Sequence, residues 1–230
     1  HCTSSAASDV YKRQGMLLAL GIVSALLETK SSGKGQVIDA AMTDGSSLLM
    51  TMMYSMHQSG FWNLERQTNL LDGAAHFYDT YECKDGKYIS IGSIEPQFYA
   101  LLCEKAGLSQ EDFGDQMKRD TWKHKKELIK KVFILKTRDE WSEIMEGTDV
   151  CFAPVLDMSE APDHPHNVAR KTFIELEGIT QPAPAPRFDR TENEVVLPPA
   201  LAGEHSKEIL ESLGMNEVEI EKLLDSGSVA

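Results

Sequence analysis

The sequence predicts an α/β fold from two patterns of apolar residues and from a globular composition. Helical spacing, a turn, a short apolar run and renewed helical spacing follow one another over residues 15–58, which is the order of an α/β layer. Farther along, two β-prone segments flank Lys84-Asp85-Gly86-Lys87, and Asp-Gly between such segments is a strong hairpin signal. The chain has 230 residues, 41% hydrophobic and 26% charged, which is typical of one or two globular domains.

The first apolar segment predicts a deeply buried helix over residues 15–30. Its apolar side chains cover most of the helix surface. Its near-apolar run, residues 16–27, is shorter than the roughly 20 residues that span a bilayer, which indicates a core helix of a soluble protein. We expect a turn at 31–35, a short buried strand at 36–41 and helix over 42–58. The methionines of 42–58 either pack in the core or line an adaptable apolar site.

The remaining elements follow from turn residues and capping patterns. Glycines, asparagines and mixed polarity predict a linker at 59–75. Pro96 suits the first position of a helix, and Ser109 and Thr137 suit N-caps. These signals predict strands at 76–83, 87–93, 151–156 and 173–176, and helices at 96–106, 109–117, 121–135, 138–146, 159–170, 205–213 and 216–224. The prolines of 181–186 predict an extended linker.

The charge balance restricts the kind of partner. A net charge of −13 and a pI of about 5.0 argue against a protein that binds nucleic acid or a membrane surface. One segment runs against this trend, since residues 118–131 hold seven Lys or Arg against two acids. This segment is either a solvated helix face or a face that contacts an anion.

The sequence gives little support for a metal site, for disulfide bonds or for a nucleotide-binding motif. The four cysteines lie far apart without a CxxC pair, so we predict neither a disulfide framework nor a zinc site, and we expect a reducing cytoplasm. His164 and His166 lack a third ligand at suitable spacing, and a turn and a helix start explain them better than a metal does. The sequence contains no P-loop, GxGxxG or GxSxG pattern.

Residues 92–98, Gly-Ser-Ile-Glu-Pro-Gln-Phe, form the most informative local pattern. A residue before proline adopts an extended backbone and Pro96 is suited to begin a helix, so we expect Glu95 at a strand–helix junction. There the helix dipole favours a negative charge. From these residues alone, a catalytic carboxylate and a helix-start carboxylate without chemistry are equally good interpretations.

Seven blocks of the sequence resemble, in order over residues 15–224, the alpha-methylacyl-CoA racemases of the family III CoA-transferase (CaiB/BaiF) superfamily. The blocks are residues 33–42, 71–73 with 77–81, 85–87, 92–99, 147–149 with 153–155, 164–166 and 203–206. The Ile-Glu-Pro-Gln-Phe-Tyr block is the one that indicates the racemase branch.

The resemblance implies a CaiB/BaiF-type α/β architecture. Both chain ends would form part of a Rossmann-like large domain, with a small α+β domain inserted between them and two subunits interlocked. The large domain would take residues 15–60 and 203–230, the small domain 76–172, and the linkers 61–75 and 173–202. Residues 1–14 resemble translated adaptor sequence and are predicted to be non-native.

The reaction that the resemblance implies is inversion of the α-carbon of a 2-methylacyl-CoA thioester through an enolate. It requires an acid/base group on each face of that carbon. In these racemases the pair is an aspartate and a histidine, the histidine being supported by a glutamate from the partner's small domain. Glu95 matches that glutamate, and Ile94, Asp72, Gly73 and Tyr78 are the implied substrate-binding positions. Coenzyme A enters as part of the substrate; no other cofactor and no metal are expected.

The other two catalytic groups have no clear counterpart in the sequence. Extension without gaps places Val10 at the aspartate's position, one residue after Asp9, and His1 has the wrong separation for the histidine. We therefore expect the chain to be an inactive fragment of a cytoplasmic, homodimeric racemase.

Two alternatives remain open. A family III CoA transferase moves CoA between carboxylic acids through an anhydride on the aspartate, and it would not need a glutamate at position 95. A non-enzymatic chain could instead lend its small domain to another subunit.

Overall fold

The computed structural model describes residues 5–191, 193, 195, 197–198 and 200–229, with side chains from residue 14 onward. The chain divides into two units, His1–Val155 and Leu156–Ala230. The first unit begins with three helices, which are α1 (Ser5–Ser32), α2 (Met42–Leu49) and α3 (Thr51–Gln58). His1 lies outside the described residues, and Asp9 and Val10 are described only as part of the α1 backbone.

Helix α1 is exposed, so the prediction of a deeply buried helix is wrong. Leu20, Val23 and Leu27 are 64%, 64% and 69% exposed. The helix also begins at Ser5 rather than at residue 15. Gly45 of α2 packs closely against Leu17, but one short helix can cover only a stripe of α1. Because the apolar residues of α1 surround the helix, most of them remain uncovered.

The segment between α1 and α2 also differs from its prediction. Residues 33–41 form no strand, and Val37 is 95% exposed. Within the described residues no neighbouring strand pairs with this segment, and a strand needs such a neighbour for its backbone hydrogen bonds. The predicted helix 42–58 is interrupted at Met50, where the Thr51 hydroxyl donates to Leu48 O at 2.5 Å. Its methionines lie outside the buried core.

One helix among the described residues, over Gln14–Ser32, is long and apolar enough to cross a membrane by length and composition. The apolar stretch is therefore longer than the run recognised in the sequence. A single helix of this kind is weak evidence, because a core helix or a signal sequence passes the same test.

The predicted hairpin is confirmed. Strands β1 (Tyr78–Glu82) and β2 (Tyr88–Gly92) are antiparallel, with Tyr78 opposite Gly92, and β3 (Phe152–Pro154) pairs with the other edge of β2. The turn between β1 and β2 contains Gly86 at φ +74°, a conformation that glycine adopts without strain.

Four helices contribute buried side chains to the same core as this sheet. They are α4 (Pro96–Ala106), α5 (Gln110–Phe113), α6 (Arg119–Phe133) and α7 (Arg138–Met145). Helix α4 buries Tyr99, Leu102, Cys103 and Ala106, whose spacing of three and four residues places them on one face. The predicted caps are confirmed, since Ser109 and Thr137 accept hydrogen bonds from their own helices. The helix predicted over 109–117 is shorter than expected, because it ends at Phe113.

Residues 75–150, here called the core region, contain the buried apolar side chains of the first unit. Ile220 is the one buried hydrophobic residue elsewhere among the described residues. Aromatic rings interlock within the core region: Phe77 meets Trp122 edge-on at 5.7 Å between centroids, and Phe133 meets Trp141 at 5.2 Å. Such contacts add to the free energy gained from burial alone.

The basic segment on α6 is not uniformly a solvated face. Lys125 is 3% exposed, and its ammonium donates to Asp115 O at 2.6 Å. Burial lowers the pKa of Lys125. A lysine of this kind helps to hold the core region together, whereas Lys123 and Lys130 of the same helix are exposed.

The second unit contains short elements. After a 3₁₀ turn (Ala161–Asp163) come α8 (Pro165–Arg170), β4 (Phe173–Leu176), β5 (Ile179–Pro182), α9 (Ser206–Ser212) and α10 (Glu217–Asp225). The helix-start interpretation of the histidines is confirmed, since His164 Nδ1 accepts from His166 N at the start of α8. Strand β5 was not predicted; it pairs with β4 through a turn in which Glu177 and Gly178 both have positive φ.

Candidate functional site

Glu95 lies between the end of β2 and the start of α4, as the sequence predicts. Its backbone is extended, with φ −69° and ψ 141°, and Pro96 takes the first helical position. Its carbonyl oxygen accepts a helical hydrogen bond from Tyr99 N at 2.9 Å. The Glu95 carboxylate, however, forms no capping hydrogen bond, and the residue is exposed. This carboxylate can therefore accept a hydrogen bond from a group outside the core region.

Ser93 fixes the backbone two residues before Glu95. It is fully buried, its amide donates to Phe77 O at 3.0 Å, and its hydroxyl donates to Val150 O at 2.5 Å. The amide of Gly92 donates to Cys151 O at 2.9 Å. Because these bonds reach both neighbouring strand regions, the sheet itself determines where Glu95 stands.

Gln116, which lies between α5 and α6, stabilises the same junction. The sequence analysis missed this role. Its side-chain amide donates to Ser93 O and to Ile94 O, both at 2.9 Å. Its own carbonyl accepts a hydrogen bond from the indole of the buried Trp122 at 2.7 Å. The two carbonyls immediately before Glu95 are thus tied to the aromatic core. No local pattern identifies Gln116, because its partners lie 22 and 23 residues away.

The negative charge of Glu95 acts on Cys151, which the sequence analysis also missed. Burial raises the pKa of its thiol, and the negative charges of Glu95 and Asp149 raise it further. The thiol is therefore protonated at neutral pH, which disfavours the thiolate that acts as a nucleophile. The Cys151 Sγ lies 4.0 Å from Asp149 O, to which it is a weak S–H donor.

Two of the predicted substrate-binding residues lie at the same end of the sheet as Glu95. Tyr78 lies opposite Gly92 on the paired strand, and its ring is 3.6 Å from the position that a Cβ at Gly92 would occupy. A Cβ at position 92 would be in ordinary van der Waals contact with this ring. Ile94 is half-buried and packs against the core region. The structure thus brings Tyr78, Ile94 and Glu95 to the same end of the β1–β2 pair.

Asp72 and Gly73, the other two predicted positions, take part in a different set of contacts. The Asp72 carboxylate accepts hydrogen bonds from the side chain and amide of Asn69, and from the amides of Thr68 and Ala74. Burial would raise the pKa of Asp72, but these hydrogen bonds outweigh it and hold the pKa below its usual value. Within the described residues, these hydrogen bonds organise the turn and none of them reaches Glu95.

His76 and Tyr99 of α4 form a second set of buried polar side chains. The Tyr99 hydroxyl donates to Phe113 O at 2.9 Å, so its single proton is committed and His76 Nε2, 2.7 Å away, acts as the donor to it. His76 is fully buried. Burial and the nearby charge of Lys125 lower the pKa of His76 to about 3. This neutral imidazole therefore serves the core rather than proton transfer.

The chemistry available to this site is hydrogen bonding by one carboxylate. Among the described residues, no group of three or more His, Cys, Asp or Glu could hold a metal ion. Glu95 can accept a hydrogen bond from a protonated base and stabilise its positive charge. Inversion of a carbon centre needs acid/base groups on two opposite faces, and Glu95 supplies neither group by itself.

Comparisons with known proteins identify relatives of this chain. Residues 3–206 match CoA-transferase family III. The chain is 42% identical over 214 residues to an alpha-methylacyl-CoA racemase of Mus musculus, covering 91% of this chain and 55% of that protein. It is 39% identical over 229 residues to an alpha-methylacyl-CoA racemase of Homo sapiens, covering 94% and 58%.

A solved structure supports the fold. A CAIB/BAIF family protein from Brucella suis matches 87% of this chain and 54% of its own, with a TM-score of 0.67 at 20% identity. This similarity supports the mixed helix and sheet fold. The chain spans 55–58% of the length of the two racemases it matches. On the family match and these identities, the chain belongs to CoA-transferase family III.

Proposed function

We propose that this chain is part of an alpha-methylacyl-CoA racemase, which inverts the α-carbon of 2-methylacyl-CoA thioesters by removing and returning a proton through an enolate. The identity of 42% and 39% to two racemases supports this proposal. The structural observation that carries it is the Glu95 carboxylate, which is exposed and uncapped on a rigid junction. A carboxylate held in this way can fix an imidazole and stabilise its protonated form.

The racemase needs two further groups, a histidine and an aspartate on opposite faces of the α-carbon. We place both in the remainder of a longer subunit, since His1 and Asp9 do not match their positions. The chain alone is then inactive. Glu95 acts by positioning the histidine and by stabilising its charge, while the histidine and the aspartate move the protons.

We further propose that the longer subunit forms an interlocked homodimer with a Rossmann-like large domain. Glu95 of one subunit then serves the histidine of the other. The exposed apolar residues of α1 support this assembly, because apolar patches of this kind mark surfaces that another protein segment covers. The proposed enzyme is cytoplasmic and binds neither nucleic acid nor a membrane. It needs no metal and no cofactor beyond the coenzyme A of its substrate.

The test is a Glu95→Gln substitution in the longer protein, with exchange of the α-proton of a 2-methylacyl-CoA for solvent deuterium as the readout. The amide keeps the shape of the side chain but loses the charge that stabilises an imidazolium. We expect exchange to fall by about 100-fold or more, within the range found for acid–base groups. Glu111→Gln, an exposed carboxylate on α5, is the matched control and should leave exchange unchanged.

A second readout separates racemisation from CoA transfer. If Glu95→Gln leaves α-proton exchange intact, or if the parent protein transfers CoA to a second carboxylic acid without α-proton exchange, the racemase proposal is wrong. Measurable exchange by the 230-residue chain alone would contradict the proposed division of the catalytic groups.

A further inference from the structure

A cavity of 350 Å³ lies between the loop of residues 65–74 and helix α6. Its lining residues come from both elements: Glu65, Arg66, Gln67, Thr68, Gly73, Ala74, Lys123, Lys126, Glu127 and Lys130. Its volume is within the range of small-molecule sites, roughly 300–1,000 Å³. It contains part of the basic segment that the sequence analysis identified.

The positive charges of this cavity come from two directions. Lys123, Lys126 and Lys130 are spaced by three and four residues, so they form one stripe along α6. Arg66 faces them from the loop. Four cations around one concavity stand out in a chain whose net charge is −13.

Two of these cations already have partners. Lys126 is half-buried at the base of the cavity, where its ammonium forms an ion pair with Asp79 and donates to Gly73 O. Lys130 forms an ion pair with Glu127 at 2.7 Å. For Arg66 and Lys123, the part of the chain that the structure describes shows no ion pair. Their charges are offset only by Glu65, the remaining carboxylate of the lining.

The loop side of the cavity is rigidly held. Asn69 is 1% exposed, and its side chain bonds to Asn63 and Asp72. The bond from Lys126 to Gly73 O ties the loop to α6. A ligand would therefore meet a pre-formed site, which reduces the entropy lost on binding.

We propose that this cavity binds a phosphate group, either as inorganic phosphate or as the phosphate monoester of a larger molecule. The forked donors of Arg66 match phosphate oxygens, and Lys123 adds a point charge from the opposite wall. Lys126, whose charge is balanced by Asp79, holds Gly73 of the loop against α6. The site shares no residue with the Tyr78, Ile94 and Glu95 group, although Gly73, one of the implied substrate-binding positions, lines it. Phosphate binding by the folded chain can be measured without the racemase reaction.

The test is a calorimetric titration of the folded chain with inorganic phosphate at low ionic strength. The double variant Arg66→Gln with Lys123→Gln removes both unpaired cations and should weaken binding by about tenfold or more. Both residues are exposed, so the fold should tolerate the change. Arg170→Gln with Lys222→Gln, which removes one arginine and one lysine charge from α8 and α10 of the second unit, should leave the affinity unchanged.

Removing a negative charge from the cavity gives a second test. Glu65→Gln removes the carboxylate that opposes the ligand, and it should tighten phosphate binding several-fold. Its control is Glu221→Gln on α10. Equal changes in the cavity variants and their controls would show a general effect of net charge, and the proposal would then be wrong. An absence of saturable phosphate binding by the unmodified chain would also overturn it.

Two further titrations identify the source of the phosphate. If coenzyme A binds more tightly than inorganic phosphate and loses this advantage when its 3′-phosphate is removed, the site takes a phosphate monoester. If coenzyme A, the dephosphorylated form and inorganic phosphate bind alike, the site accepts any phosphate group. Either result supports the proposal when it depends on Arg66 and Lys123.

Discussion

Residues 14–58 and the core region are both rich in apolar side chains, but only the core region buries them. In the first segment Leu20 is 64% exposed, whereas Leu102 of α4 is fully buried. Apolar positions surround α1, so no single neighbour covers them, while those of α4 form one face that meets a sheet. Apolar content therefore supplies the driving force, and a matching surface decides whether burial occurs.

The largest expected effect is the difference in unfolding free energy between two leucine-to-alanine substitutions, one in each region. Leu102→Ala should lower the free energy of unfolding of the core region by about 2–5 kcal/mol, because it leaves a cavity. Leu20→Ala should change it by no more than about 0.5 kcal/mol. Urea titrations followed by the fluorescence of the buried Trp122 and Trp141 measure both. Similar losses would show that α1 packs as tightly as α4.

The next effect compares two serine hydroxyls that each donate to a carbonyl. Ser93→Ala leaves the buried Val150 O without its side-chain donor and should cost about 1–3 kcal/mol. Ser59→Ala removes an exposed bond to Ser55 O, which water replaces, so the change should stay within about 0.5 kcal/mol. The same urea titrations test this pair, and an equal cost at both positions would contradict the assigned difference in burial.

The third effect is a pH dependence that belongs to the core region and is spread over several pH units. Burial, with the charge of Lys125, lowers the pKa of His76 from 6.5 to about 3 in the folded state, so its neutral form is favoured there. Its contribution is fully present above the unfolded pKa and is lost as pH falls from about 6.5 towards 3, by up to about 1.4 kcal/mol per pH unit.

Unfolding titrations at several pH values in this range measure the contribution of His76. His76→Gln should flatten the slope, whereas His124→Gln, an exposed histidine of α6, should leave it unchanged. If both variants keep the full slope, carboxylates rather than His76 determine the acid sensitivity.

The parts of the fold that could be predicted are those specified by neighbouring residues. The Asp85-Gly86 turn, the Thr137 cap and the Glu95-Pro96 junction each depend on contacts within a few positions. The strand expected at 36–41 failed because a strand also needs a partner, and apolar spacing does not reveal one. The burial of α1 failed for a related reason, since periodicity identifies an apolar face without showing what covers it.

The same distinction between neighbouring and distant residues applies to the candidate site. The place of Glu95 at a strand–helix junction was predicted from its own neighbours, whereas its role was inferred from the resemblance. Tyr78 and Ile94 lie at the same end of the β1–β2 pair. Asp72 was chosen by resemblance, and the structure uses its carboxylate within a turn. Gln116 could not have been found, because its importance comes from two carbonyls that the chain brings close only after folding.

The sequence by itself determined the family of this protein and the strand–helix junction that presents Glu95, because the family is recognised from short blocks of sequence and the junction from adjacent residues. The tertiary structure decided which apolar residues are buried, which lysines of α6 are paired and which residues brace the junction. These properties depend on distances between segments far apart in sequence. Burial and charge pairing therefore become definite only when the sheet and its helices have packed together.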